Sequence, residues 1–386
     1  MGKIVKLTEN QFMDAIQLSQ YAFQYIVPED QIPKRLEMLK KHKILGIFEA
    51  EQLAAKLHLI PFEVHIGEQK WKMGGIAGVA TYPEYRRKGY VKVLMQQVLE
   101  EMKDEGYSVS MLHPFKISFY RKYGWELLTN RIKCTLSKSD LVMQEVVSGT
   151  IKRTNKDVNF HDLNEVYTHY ASRFAGMLVR DETWWEAITK DEFVSIYYDA
   201  NQESKGFLVY SIKDSKMKVE EFVALTGEAR KGLWNFICQH DSMVNEVEII
   251  LSEKDPLLYT LQEPNVKTEL MPYFMVRIVD VEKFLPDYDF HWSGEEVVLQ
   301  VTDEYASWNE KFFTLKNDEV FVHAEDDQIE SSHVIKLSIN SLSAILFGYK
   351  RPLELFNLAL LNGKEEEIQK LEKMIPYRES FFYDFF

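Results

Sequence analysis

The sequence predicts an α+β protein made of three consecutive units, and three observations carry that prediction. Residues 1–148 run strand, two helices, three strands, a basic loop and a helix. The same order returns from Gly149, which marks an internal duplication. From Met275 a run of strands precedes a run of helices, the pattern of a unit in which the two element types segregate. The units are therefore 1–148, 149–275 and 276–386, the first two each a mixed central sheet flanked by helices.

In the first unit, Lys3–Leu7 reads as an edge strand. Thr8-Glu9-Asn10-Gln11 has capping-box spacing, in which a Thr hydroxyl and a Gln side chain satisfy helix-start amides reciprocally. Phe12, Ile16 and Tyr21–Phe23 follow on a helix. Gln24–Pro33 is a loop carrying Tyr25, Glu29 and Asp30, and Pro33 opens a second helix through Lys40. Lys43–Glu49, Leu53–His65 and Lys70–Thr81 alternate as strands, with Gly67-Glu68-Gln69 as a turn. Pro83 breaks the last of them. A helix starts near Gly89, because Val91, Leu94, Met95, Val98, Leu99 and Met102 recur on one helical face. Arg86, Arg87, Lys88 and Gly89 lie between strand and helix. Free amides and the positive dipole end at a helix start, a glycine that permits close approach, and three cations together make a seat for an anion, most simply a pyrophosphate. A solvated basic turn is the plain alternative. The strand before it, the helix after it and the residues from Tyr107 to Trp125 argue against that alternative.

Tyr107–Leu112 is a short strand, Phe115–Lys122 a brief helix, and Tyr123–Leu127 opens another strand. In the second unit Thr150–Lys152 is strand-like and Asp162–Phe174 helical. Trp184 and Trp185 mark a further helix, and Phe193–Tyr198, Gly206–Lys213 and Lys216–Leu225 are strands. Arg230-Lys231-Gly232 then echoes the first basic loop, but Ala229 replaces the leading Arg and Trp234 fills the small position. This unit reads as one that has lost its anion seat. In the third unit Val276–Val279, Glu296–Thr302, Lys311–Leu315, Val320–His323 and His333–Leu337 are strands. Asn340–Leu346, Leu353–Leu361 and Lys364–Met374 are helices.

The chain has 386 residues, 46% hydrophobic, and a net charge of −14. Nucleic acid is a poor partner for so acidic a chain, whereas an acidic surface concentrates a cationic substrate. There is no apolar signal core and no run long enough to span a bilayer, so no membrane role is expected. Cys134 and Cys238 are too few for a disulfide framework and lack metal spacing. No metal and a cytoplasmic setting are expected.

Arg86-Arg87-Lys88-Gly89-Tyr90-Val91 resembles the acetyl-CoA loop of the GNAT N-acetyltransferases, Arg/Gln-x-x-Gly-x-Gly/Ala, with Val91 departing at the last position. Ser118-Phe119-Tyr120-Arg121-Lys122-Tyr123-Gly124-Trp125 resembles the family's Phe-Tyr-x-x-x-Gly-Phe signature, whose tyrosine lies beside the CoA sulfur. A weak acid suits that place, because the leaving thiolate needs a proton. Two tandem GNAT-like units, a sterol-carrier-like third unit and an aromatic C-terminus together resemble the Eis (enhanced intracellular survival) family. The likeness is also carried by Arg277-Ile278-Val279-Asp280-Val281, by Val301-Thr302-Asp303 with Trp308-Asn309, and by the final Phe.

That resemblance implies an acetyl-CoA-dependent N-acetyltransferase working by direct transfer in a ternary complex. The acceptor would be a small cationic amine (aminoglycoside, polyamine or lysine-like) or a basic peptide. Pyrophosphate would lie on Arg86, Arg87, Lys88, Gly89, Tyr90, Val91 and Lys92. The backbone of Val79, Ala80 and Thr81 would hold the pantetheine arm, with Phe115 and Lys116 lining the cofactor near the thioester. Tyr120 would protonate the sulfur and the carboxylate of Phe386 would be the base. The acceptor enters as an ammonium, so a carboxylate both attracts it and takes its proton. A second carboxylate would come from Asp384 or the Glu29–Asp30 loop. The resemblance also implies a homo-hexamer. The competing reading is a non-catalytic acyl-CoA or lipid-binding protein in which Tyr120 and Phe386 are structural.

Overall fold

The computed structural model describes residues 3–154, 158–323 and 333–386. The first unit comprises β1 (Ile4–Lys6), α1 (Phe12–Phe23), α2 (Ile32–Leu39), β2 (Lys43–Glu49), β3 (Gln52–Ile66), β4 (Gln69–Thr81), α3 (Tyr90–Asp104), β5 (Val109–Leu112), α4 (Ile117–Arg121) and β6 (Glu126–Ser137). The second comprises β7 (Thr150–Thr154), α5 (Phe160–Ala171), β8 (Phe174–Leu178), α6 (Glu182–Thr189), β9 (Phe193–Tyr198), β10 (Ser204–Lys213), β11 (Lys216–Ala224), α7 (Gly227–Cys238), β12 (Glu246–Ser252), α8 (Leu257–Thr260) and β13 (Lys267–Ile278). The predicted capping box is present, with the Thr8 amide donating to Gln11 Oε1 at 3.1 Å.

These two units share one sheet, in the order β1-β2-β3-β4-β5-β13-β6-β12-β11-β10-β9-β7. The join is an exchange of strands. β6 and β13 pair antiparallel along their length. The C-terminal half of β6 then bonds β12 of the second unit, Arg131↔Ser252 to Ser137↔Glu246. The C-terminal end of β13 bonds β5 of the first, Met275↔Leu112 to Ile278↔Val109. The burial of β13 follows from this. Its first seven residues are exposed or half-buried, whereas Phe274–Ile278, set between β5 and β6, are all buried. The run from Phe274 reads in sequence as the start of the third unit. It is instead the end of a long strand inserted into the first unit's sheet; with Phe274–Ile278 all buried, Arg277 included, the run carries no polar–apolar alternation to announce its register.

A second departure lies at Phe174. The helix stops at Ala171, and Phe174–Leu178 is a wholly buried strand. It lies against β3 through Ile66↔Ala175 and Val64↔Leu178. A short apolar run does not by periodicity distinguish strand from helix.

The third unit holds α9 (Val281–Phe284), β14 (Val297–Thr302), β15 (Phe312–Lys316), β16 (Glu319–His323), β17 (Val334–Ser338), α10 (Ile339–Leu346), α11 (Pro352–Asn357), β18 (Leu361–Asn362), α12 (Glu365–Met374) and β19 (Glu379–Ser380). Its sheet runs β16-β15-β14-β17-β18. Phe313, Leu315 and Phe347 fill its core. β19 leaves the unit and pairs with β8, Glu379↔Phe174 and Ser380↔Ala175.

Helices cover both faces of the first unit's sheet. On one face α3 and α4 pack on Leu57, Leu59 and Ile76. On the other, α1 and α2 pack on Ile44, Leu53 and Ala80. Cys134 and Cys238 are free and buried, and burial pushes their thiols up to about 11 and about 12. Among the described residues no helix is long and apolar enough to cross a membrane. His161, Asp162 and Glu165 lie close enough together to share an ion, but Asp162 is already engaged by the Tyr198 hydroxyl at 2.6 Å.

Candidate active site

The first helix start is open. Gly89 is the N-cap of α3 with φ +83°, and no side chain caps the helix. A Cβ there would meet nothing within 4 Å, so glycine is required by the left-handed backbone and not by crowding. Arg87 also adopts φ +64°. Arg86, Arg87, Lys88 and Gly89 are exposed, and Lys88 lies over the Tyr85 ring at 4.8 Å. Tyr90, Val91 and Lys92 offer this seat only main-chain N–H groups. The Tyr90 ring is buried and its hydroxyl donates to Glu49, Val91 packs against the α3 core, and Lys92 Nζ lies 5.5 Å from the Tyr305 ring of the third unit.

The strand leading to that seat is half released. β4 pairs in parallel with β5 only from Met73↔Val109 to Ile76↔Leu112. Ala77–Thr81 keep β3 on one edge, and among the described residues no strand takes the other. The result is a wedge with unpaired main-chain groups at Val79, Ala80 and Thr81. The buried Thr81 hydroxyl has no hydrogen-bond partner. A bulge interrupts β4 here, with Gly78 at φ +56° and the register shifting between Lys56 and His58.

Past the end of β5, α4 places Tyr120 in the apolar cluster that also holds Leu112 and against which Val79 of the wedge packs. Tyr120 is buried, with Phe119 and Phe115 rings 5.1 and 5.6 Å away. Among the described residues nothing hydrogen-bonds its hydroxyl. Burial, and then Tyr123, pushes the phenol above its ordinary value. Phe115 is 72% exposed and Lys116 lies exposed beside it. The turn after α4 is held by the buried Arg277, which donates to the Tyr123 carbonyl and pairs with Asp303. Gly124, at φ +90°, leaves space that any side chain would take from that guanidinium.

The C-terminal segment crosses from the third unit to this wedge and is pinned by the other two. Thr129 Oγ1 donates to the Ser380 carbonyl at 2.7 Å, Arg131 Nε to the Phe382 carbonyl at 2.9 Å, and the Tyr273 hydroxyl to the Asp384 carbonyl at 2.7 Å. Asp384 accepts from Arg180 Nε at 2.9 Å and Trp184 Nε1 at 2.7 Å, and Arg180 also binds both oxygens of Glu221. Asp384 is therefore a buried anchor, not the second carboxylate at the reacting atoms, and Glu29 and Asp30 are exposed. The Phe386 ring lies 4.8 Å from Phe62 and 5.0 Å from Phe274. A Cβ on Gly75 would come within 2.8 Å of it. Gly75 precedes by one residue the point where β4 and β5 part, so the last ring stands at the mouth of the wedge.

Arg131, Arg180, Glu221, Trp184 and Tyr273 carry this tail, and none is marked by a motif. An Arg in a connection and a Glu in a strand, as Arg180 and Glu221 are, read as surface residues until the fold buries them. The second unit's echo of the basic loop is closed. The Thr226 side chain caps α7 by accepting from the Ala229 amide at 3.1 Å, and Arg230 and Lys231 are paired with Asp255 and Glu145.

Comparison with known proteins agrees with this geometry. The acetyltransferase (GNAT) domain family matches residues 3–128, a second GNAT domain family matches 176–278, and the sterol carrier protein domain family matches 281–383. An uncharacterized N-acetyltransferase of Streptomyces avermitilis is 25% identical over 72% of this chain and 73% of its own length. N-acetyltransferase Eis of Mycobacterium tuberculosis is 22% identical over 61% of this chain and 63% of its own. The chain is an Eis-like GNAT acetyltransferase. The solved structure of a probable N-acyltransferase from Enterococcus faecalis V583 superposes on this GNAT enzyme with TM-score 0.92 over 100% of both chains at 26% identity. The same three-unit architecture thus recurs from end to end in a relative whose sequence is three-quarters different.

Proposed function

We propose that the first unit of this acyltransferase moves the acetyl group of acetyl-CoA to the amine of a cationic acceptor (an aminoglycoside, a polyamine or a lysine-like amine) in one ternary complex. One observation carries the reading: β5 releases the edge of β4 after Ile76, and the freed edge leads straight to the uncapped start of α3. Diphosphate on the amides of residues 89–92 and on Arg86–Lys88, with the pantetheine amides on Val79–Thr81, brings the thioester beneath Tyr120. The acceptor enters as an ammonium and loses one proton to the Phe386 carboxylate. Its nitrogen attacks the carbonyl carbon, the C–N bond forms and the C–S bond breaks. Tyr120 gives its proton to the departing sulfur and recovers one from the nitrogen. Two protons thus leave nitrogen, one ending on CoA and one in solvent. The net charge of −14 favours a cationic acceptor.

Thiol release from acetyl-CoA in the presence of a panel of cationic amines tests the reading. Turnover with at least one polyamine-type acceptor is expected. Residues appended after Phe386 should abolish it while acetyl-CoA still binds. Intact acetyl-CoA binding with no release for any amine overturns the reading in favour of a non-catalytic acyl-CoA binder.

A further inference from the structure

Behind the wedge lies a hydrogen-bonded chain that the reading above leaves unused. Lys56 Nζ donates to the Gly78 carbonyl at 2.9 Å and is 2.8 Å from His58 Nε2, and His58 Nδ1 is 3.1 Å from His42 Nδ1. Lys56 is wholly buried, His58 nearly so, and His42 reaches the surface. Lys56 pairs across strands with Ala80, which packs under α1, whereas its neighbour Leu57 belongs to the cluster of α3 and Tyr120. Lys56 therefore approaches from the α1–α2 side. The Gly78–Val79 peptide is trans, so its C=O and N–H point in opposite directions. With the carbonyl turned to Lys56, the Val79 N–H leaves on the side that carries α3 and Tyr120.

We infer that Lys56 is a positioning residue of acetyl transfer: from the far face it orients and polarises the Gly78–Val79 peptide, strengthening the Val79 N–H as donor to the thioester oxygen, where negative charge develops. The inference rests on the acetyl-transfer reading above. Linked hydrogen bonds polarise one another, and an ionised donor makes a bond roughly twice as strong as a neutral one.

The chain is satisfied in two states. As an ammonium, Lys56 donates to Gly78 and to His58 Nε2, and His58 Nδ1–H donates to His42. As an amine, Lys56 still donates to Gly78 but accepts from His58 Nε2–H, and His42 Nδ1–H donates to His58. One proton thus reverses the chain without breaking it and changes the strength of the donor on Gly78. The groups that act on it are few. Burial, and then Arg35 of α2, brings Lys56 down to about 7. Burial, Arg35 and Lys56 bring His42 to about 4, and burial, Lys56, His42 and Arg35 hold His58 well below its ordinary value. Both states of Lys56 are thus populated near neutral pH.

The test is the infrared carbonyl band of acetyl-CoA, isotope-labelled at the acetyl carbonyl and bound to the full chain without acceptor. The band is expected below the free-thioester frequency in the wild type. It should relax toward the free value as pH rises from about 6 to about 9, as the charge on Lys56 is lost. Lys56→Met should show the relaxed band at every pH, and Lys56→Gln, which keeps a neutral donor, a pH-independent band between the two. In turnover, Lys56→Met should lose about tenfold in kcat, less than removal of an oxyanion donor itself, with the KM for acetyl-CoA little changed. A shifted wild-type band indifferent to both pH and Lys56 overturns this inference alone. A bound band identical to the free thioester overturns it together with the wedge as the acetyl site. The wild-type pH series decides the matter even where a variant fails to fold.

Discussion

Tyr120 shows how one environment sets two chemistries. Burial keeps its phenol protonated across the working pH range, so the donor of the proposed mechanism would always be loaded. The same dry surroundings would raise the basicity of a thiolate released beside it and so preserve the drive for transfer. Tyr120→Phe should cut kcat by roughly 10²–10⁴ and leave thermal unfolding unchanged, since the ring contacts with Phe115 and Phe119 survive. Near-full activity would return Tyr120 to packing. Lys56 makes a prediction about stability. Its folded value of about 7 lies below the ordinary 10.5, so between these the unfolded chain binds more protons and stability rises with pH. The rise is on the order of a few kcal/mol, and Lys56 contributes no slope below the folded value. Urea unfolding at a series of pH values should show the rise in the wild type and its loss in Lys56→Met; equal slopes in the two would show that Lys56 is not neutral in the folded state.

Two helix starts with similar Arg-Lys-Gly sequences have opposite fates. At α3 the amides are uncapped and the cations exposed. At α7 a threonine takes an orphan amide and carboxylates take the cations. The first start is held open at a small cost in local stability, since a glycine N-cap forgoes only roughly 0.3 kcal/mol against a capping side chain, and the proposed diphosphate would take up the free amides. Arg86→Ala with Arg87→Ala should therefore raise the KM for acetyl-CoA by roughly tenfold or more, at about 1.5–3 kcal/mol per lost charged hydrogen bond, with little change in kcat. An unchanged KM would move the cofactor elsewhere. The C-terminal segment belongs to this scale too. Its hydrogen bonds run to β6, β13, β8 and α6, so the last ring is located by elements of the first two units more than by its own.

Across the molecule, the exchange of β6 and β13 makes the first two units one folding body. Residues 1–148 alone lack β12 and β13, which leaves the buried edge of β5 and both sides of β6 unpaired, and buried backbone groups without partners are costly. That fragment should show no cooperative unfolding transition, whereas residues 1–278 should; calorimetry of the two distinguishes them, and a cooperative 1–148 would refute the exchange as a stability element. The anion seat and Tyr120 were legible in the chain because each is a local pattern: strand, cations, glycine and periodic helix for one, a short aromatic helix ending in glycine for the other. Alternation located most strands for the same reason. It failed at Phe174, where a strand buried on both faces shows no alternation, and at Phe274 it located the end of a strand without its start or the sheet that holds it. Sequence by itself determined most of the helices and strands and which helix start stands uncapped beside exposed cations, because these depend on contacts a few residues apart. Only the tertiary structure decided that Arg180 holds Asp384, that Phe386 meets Gly75, and that Lys56 stands behind the Gly78–Val79 peptide. Those pairs are brought together by sheet register and strand exchange, and their meaning comes from burial that no spacing of residues encodes.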